Sequence, residues 1–248
     1  MEPYQPILHT FPEDTLGRFQ VLREFLRRWH NIDTGSAGRT VPRIEESEGS
    51  IRHDLPLGIR EWIVFLDDLE RVCKWRNVLR DCWSLKKVPN CNAFSLLVAG
   101  ENDRHWGVLV RDLGEEDPPT YAFVPDYKRD ESRFIRGRKE APRVSTWAVE
   151  FTLTYLYLSR SLQCEADVPG EIFKKAYKTR SDKLIASKIG KTSILEFTGG
   201  LVLAEKQGKD RYRLRAYAPN LSESHDRYYT DLMAFSRRLR DELELPFR

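Results

Sequence analysis

Leu16, Phe19, Leu22, Leu26 and Trp29 recur every three or four positions, with Arg18, Arg23, Arg27 and Arg28 between them. That spacing predicts a helix over residues 13–31 with one apolar face. Residues 33–54 are rich in Gly, Ser, Glu and Arg, and predict a long, exposed, mobile loop. Leu55-Pro56 then opens a second helix, where proline suits the first turn because its missing N–H has no partner there. Ile59, Trp62, Ile63, Leu66, Leu69 and Cys73 mark its buried face, and helical character is read as far as Trp83.

Strand patterns follow at 84–88 and 93–99, separated by a Pro89-Asn90 turn. Residues 95–124 read as an apolar strand, a polar turn at Gly100–Arg104, a second strand through Trp106–Arg111, a loop ending in Asp117-Pro118-Pro119, and a third strand. Residues 125–143 are a basic linker or hairpin. Residues 145–162 fit both periods, and their length favours helix over strand. A short helix at 171–178 precedes three strands at 193–197, 201–206 and 211–217, with turns at Gly199-Gly200 and Gln207–Asp210. Tyr228, Leu232, Phe235, Leu239 and Leu243 give a last helix over 224–244. Strands grouped between helices predict an α+β fold.

At 248 residues the chain is long enough for one large domain or two small ones. The reading adopted is a single domain, with 170–248 as a basic C-terminal extension of the same fold. The net charge of +3 forces neither a nucleic-acid nor a membrane partner. No apolar run approaches the roughly 20 residues that span a bilayer, and MEPYQPILHTFPED lacks the pattern of a signal peptide. A cytoplasmic protein without a membrane partner is expected. Cys73, Cys82, Cys91 and Cys164 form no CxxC pair, and the first three with His105 match no closed zinc site. They are expected to be small buried hydrophobes, with no metal and no cofactor.

The chain shows no constellation arranged for catalysis. Gly190-Lys191-Thr192 has the tail of a phosphate loop, but Ile185 stands at the earlier glycine position. Ser84-Leu85-Lys86-Lys87 has SxxK spacing without its companion motifs. His105 is read as an exposed turn residue, and the acidic runs Asp67-Asp68, Glu115–Asp117 and Asp241-Glu242 as solvated. No catalytic residue is assigned, and the chain is read as a non-enzyme. Two stretches are basic: 127–143 has seven Lys/Arg against three Asp/Glu, and 174–191 has seven against one. Lys128, Arg129, Arg136, Arg138, Lys174, Lys175 and Lys178, interleaved with Tyr127, Phe134 and Tyr177, are candidates for a nucleic-acid patch. The same charges suit an acidic protein, or are simply solvated.

Several segments together carry a family resemblance. They are Leu55-Pro56-Leu57-Gly58-Ile59-Arg60-Glu61-Trp62, the strand Phe94–Gly100 ending near Glu101-Asn102-Asp103, Trp106-Gly107-Val108, Asp112-Leu113, and Asp117-Pro118-Pro119-Thr120-Tyr121. In this order they resemble the SUKH superfamily of fungal cell-wall-synthesis regulators and bacterial toxin-immunity proteins. The match is best over residues 50–165. Leu69-Glu70-Arg71 stands where the family has Asn-Gly, and the last third is longer and more basic than in the family. The resemblance implies a mostly antiparallel central sheet flanked by helices. It also implies a non-catalytic module that binds a protein, such as a cognate toxin. Trp62, Trp106, Asp112, Glu115 and Asp117 are its candidate partner-binding residues.

Overall fold

The computed structural model describes residues 12–30, 40–72, 85–99, 104–128, 130–158, 164–179, 188–189, 192–197, 200–218, 225–243 and 245–247. The fold is α+β, but its strands form two sheets rather than one. The chain divides into two compact units, with the divisions falling inside the first and fourth helices. This differs from the single domain read from the sequence. The physical reason is a strand at 164–169 that pairs with residues 211–216, giving the C-terminal region a sheet of its own.

The first unit comprises Pro12–Arg23 and Asp33–Val149. Its sheet is antiparallel in the order β1 (Lys86–Lys87), β2 (Ala93–Ala99), β3 (Arg104–Leu109), β4 (Thr120–Asp126), β5 (Asp130–Ala141). One sheet face meets helices. Trp106 of β3 lies 6.3 Å from Trp147 of α4 (Val144–Leu158), and Trp147 meets Trp62 of α3 (Leu57–Val72) edge-on at 4.8 Å. Phe19 of α1 (Thr15–His30) packs 6.1 Å from Phe65 of α3. Val88, Ala93, Leu109, Phe123 and Phe134 form a second apolar cluster, with Cys91 and Tyr121 against it. Within it the Cys91 thiol donates to the Phe134 carbonyl (3.1 Å), so the turn between the first two strands reaches the last one. The sheet therefore curls on itself. Burial pushes the Cys91 thiol pKa up, which keeps the donor proton in place.

The mobile loop expected at 33–54 is corrected in part, because Thr40–Ile51 is a helix, α2. Its composition is polar because a short surface helix needs few apolar contacts. It is held instead by Glu48, whose carboxylate accepts from the Leu55 N–H (3.1 Å) and from Arg60 (2.5 Å). That N–H, and then the guanidinium, hold the Glu48 carboxyl below its usual range. Arg52 ends the helix in the left-handed region, at φ 54°. Residues 33–39 lie outside the described residues.

The second unit comprises Glu24–Ile32 and Glu150–Arg248, with further residues at the N-terminus. Its antiparallel sheet runs β6 (Cys164–Pro169), β10 (Arg211–Tyr217), β9 (Gly200–Gln207), β8 (Thr192–Phe197), β7 (Lys188–Ile189). Cys164, Ala166 and Val168 face a core shared with Phe173 of α5 (Gly170–Thr179) and with Leu232, Phe235 and Leu239 of α6 (His225–Leu243). Glu165 and Asp167 face the other way and pair across strands with Arg215 (2.9 Å) and Arg213 (3.4 Å). That alternation is a period-two signal, which the sequence reading passed over.

Gly107 explains the glycine between Trp106 and Val108. A β-bulge in β2 between Ser95 and Leu97 brings the Phe94 carbonyl onto Gly107, where a Cβ would clash with it. Gly107→Ala is expected to destabilise this unit by about 2 kcal/mol, the cost of overpacking a tight site. Urea unfolding followed by tryptophan fluorescence checks it; an unchanged midpoint refutes the close approach.

Candidate interaction surface

The motif residues are mostly structural. Trp62 and Trp106 are buried, and the Trp62 indole N–H donates to the Leu96 carbonyl (3.2 Å). Neither side chain reaches a partner from there. Asp117 is a tie point. Its carboxylate accepts from Thr15 Oγ1 (3.1 Å), from the Ser145 N–H (3.1 Å) and from Ser145 Oγ (2.5 Å). It also presses against Gly58, leaving no space for a Cβ there. On either side of it, the Glu116 and Pro118 carbonyls accept from the Gly58 and Val144 N–H groups (3.0 and 2.8 Å). Arg18 adds bonds to Ser145 Oγ (3.1 Å) and Thr146 Oγ1 (2.9 Å). Asp112 is half-buried in a 3-10 turn, 3.4 Å from Arg111, while Glu115 and Glu116 are exposed. Of the five candidates, three share this loop and only Glu115 is freely presented.

His105 is buried rather than exposed, because it lies in β3 with its ring edge-on to Phe134 at 4.5 Å. Its Nδ1 is 3.2 Å from Ser95 Oγ, the spacing of a base and a nucleophile. Ser95 however donates its proton to the Leu97 carbonyl (3.1 Å), so in the neutral ring Nδ1–H is the donor to the serine. In this arrangement the histidine orders a core contact and does not activate the hydroxyl. Among the described residues no group of three or more His, Cys, Asp or Glu is placed to hold a metal ion. Cys73, Cys82, Ser84, Gly190 and Lys191 lie outside the described residues.

The exposed charge is concentrated on the β4–β5 hairpin. Lys128, Arg133, Arg136, Arg138 and Lys139 are all exposed. Arg138 pairs with Glu140 (3.2 Å), and Arg136 lies over the Tyr121 ring at 5.6 Å. Lys128, Arg133 and Lys139 have no carboxylate partner among the described residues. Tyr127 and Ile135 are 63% and 47% exposed, two of the three exposed large hydrophobics among the described residues. Phe134 is buried, so it is not the stacking residue expected. The sequence reading passed over Ile135, although adjacent apolar residues in a strand must face opposite ways. Arg129 lies outside the described residues. Lys174 and Lys175 are exposed on α5, in the other unit, and Lys178 is on the same helix.

No family model, no curated protein and no solved structure matches this chain. Among the described residues no helix is long and apolar enough to cross a membrane.

Asp117→Ala removes three acceptor contacts at once. It is expected to destabilise the first unit by about 2–3 kcal/mol, read from urea midpoints; a loss within error refutes its role as a tie point. His105 supplies a pH test. Burial lowers its pKa below the ordinary 6.5, so the unfolded chain binds the proton more readily. The stability it contributes is present above pH 6.5 and lost as pH falls below it. The urea midpoint is therefore expected to drop between neutral and mildly acidic pH. His105→Gln flattens that part of the profile, and an unflattened profile assigns the drop to other groups.

Proposed function

We propose that this chain is a non-catalytic, SUKH-like protein-binding module. We further propose that it acts as an immunity protein, neutralising a cognate toxin by covering its working surface. One observation carries the reading: unpaired cations and two exposed apolar side chains sit together on the β4–β5 hairpin. Residues of the resembling motifs support it differently. Trp62, Trp106, Gly107 and Asp117 are taken up by packing and capping, as expected of a scaffold that presents loops and edges. Complementary charge speeds such an encounter and sets its specificity.

The second reading, nucleic-acid binding, draws on the same hairpin, where Tyr127 stands beside Lys128. Affinity capture of the tagged chain from its source lysate, with and without nuclease and at two salt concentrations, separates them. The expected result is one stoichiometric protein that survives nuclease and moderate salt. Co-expression with that protein should then relieve its toxicity. Capture that vanishes with nuclease transfers the hairpin to the second reading, since phosphate contacts dominate such affinity.

A further inference from the structure

We infer that His105 is a pH-sensitive latch: taking up a proton in mildly acidic solution releases β5 from the first sheet, while the helix-packed face of that sheet stays folded. This goes beyond the binding-module reading and does not depend on which partner is bound.

The register puts the ring where a charge has no counterpart. Val98, His105, Phe123 and Arg136 form one rung across the sheet. Lys86, Ser95, Gly107, Tyr121 and Lys139 form the next rung on the same face. The charged groups of these rungs are therefore the cations Lys86, Arg136 and Lys139. Two neutral titratable groups join them: Tyr121, whose ring lies 5.6 Å from the Arg136 guanidinium, and Cys91, whose thiol bonds the Phe134 carbonyl. The carboxylates of the hairpin stand elsewhere. Glu140 pairs with Arg138 (3.2 Å), and Asp126, Asp130 and Glu131 lie by the hairpin turn, beyond Phe134. Arg104 lies over the Trp106 ring at 5.8 Å, on the opposite face.

The neutral ring closes the latch. Its Nδ1–H donates to Ser95 Oγ (3.2 Å), and that hydroxyl donates to the Leu97 carbonyl (3.1 Å) across the bulge of β2. The ring also stands edge-on to Phe134 at 4.5 Å. Protonation adds a proton from water at Nε2 and makes the ring a cation with two N–H donors. A buried cation without a carboxylate is costly, and water satisfies it only when the ring leaves its place. Leaving disturbs Phe134, and with it the Cys91 bond that ties β5 to the turn between β1 and β2.

Two features confine the release to β5. The strand ends the sheet order, so one neighbour holds it, and its pairing with β4 breaks register at Thr120/Tyr121, Tyr121/Phe123 and Pro125/Asp126. The Phe134 cluster is also separate from Trp62, Trp106 and Trp147, which pack on the other face. A strand held this way opens at lower cost than the core behind it. Burial lowers the ring's pKa below 6.5, so the open form binds the proton first. The open population then rises about tenfold for each pH unit between 6.5 and the lower folded value.

Hydrogen exchange of the full chain, followed by mass spectrometry at about pH 7.5 and about pH 5.5, reads the latch directly. Rates are corrected for the intrinsic pH dependence of amide exchange. Wild type is compared with His105→Gln, which keeps a donor for Ser95 and does not titrate, and with the exposed control His53→Gln. The expected result is that peptides of β5 and of the β1–β2 turn lose protection roughly tenfold at the lower pH. Peptides of α3, α4 and β8 to β10 keep theirs. His105→Gln abolishes the response and His53→Gln leaves it intact. Uniform loss across the first unit overturns the inference, as does an unchanged β5 or a response that survives in His105→Gln. If His105→Gln fails to fold by circular dichroism, NMR titration of the His105 ring in wild type decides. A pKa below 6.5 that tracks the opening of β5 upholds the latch, and a pKa at or above 6.5 overturns it.

Discussion

One carboxylate organises the first unit. The start of a helix presents N–H groups with no partner inside the helix, and a negative charge is favoured there. Asp117 sits at three such starts. It bonds Thr15, the first residue of α1, and both the N–H and the hydroxyl of Ser145 in α4, and it presses on Gly58 in α3. The neighbouring Glu116 and Pro118 carbonyls complete the job with the Gly58 and Val144 N–H groups. The loop itself hangs between β3 and β4. Three helices are thus indexed to one sheet at one point, and the contacts of Trp62, Trp106 and Trp147 follow from that alignment.

The sheet's own curvature decides what is left outside. Gly107 lets the β2 bulge approach β3, and Cys91 joins the β1–β2 turn to β5. Phe123 and Phe134 are buried as a result. The rest of β5 runs past this enclosed cluster. Arg136, Gly137, Arg138 and Lys139 are exposed one after another, although a sheet strand ordinarily alternates. Charged side chains collect there because the core has run out.

The second unit solves the same problem with less irregularity. Its sheet buries one face against α5 and α6, and lines part of the other with Arg213–Asp167 and Arg215–Glu165 pairs. Such exposed pairs add little stability.

The sequence by itself determined the α+β class and most elements. α1, α3, α5, α6 and the strands from β2 to β4 and from β8 to β10 appear where their hydrophobic periods predicted, because period follows from local geometry alone. Length settled α4 as a helix. The helix at 40–51 was illegible, since its anchor is Glu48 reaching Leu55 and Arg60, not an apolar stripe. The Asp-Pro-Pro and Trp-Gly-Val segments were visible as motifs, but a motif does not say whether a tryptophan faces a partner or another tryptophan. Only the tertiary structure decided that Trp62 and Trp106 pack inward, that Ile135 faces out, and that β6 closes a second sheet on β10. Each depends on which distant strand lies alongside, and pairing between residues far apart in the chain leaves no periodic trace in either strand alone.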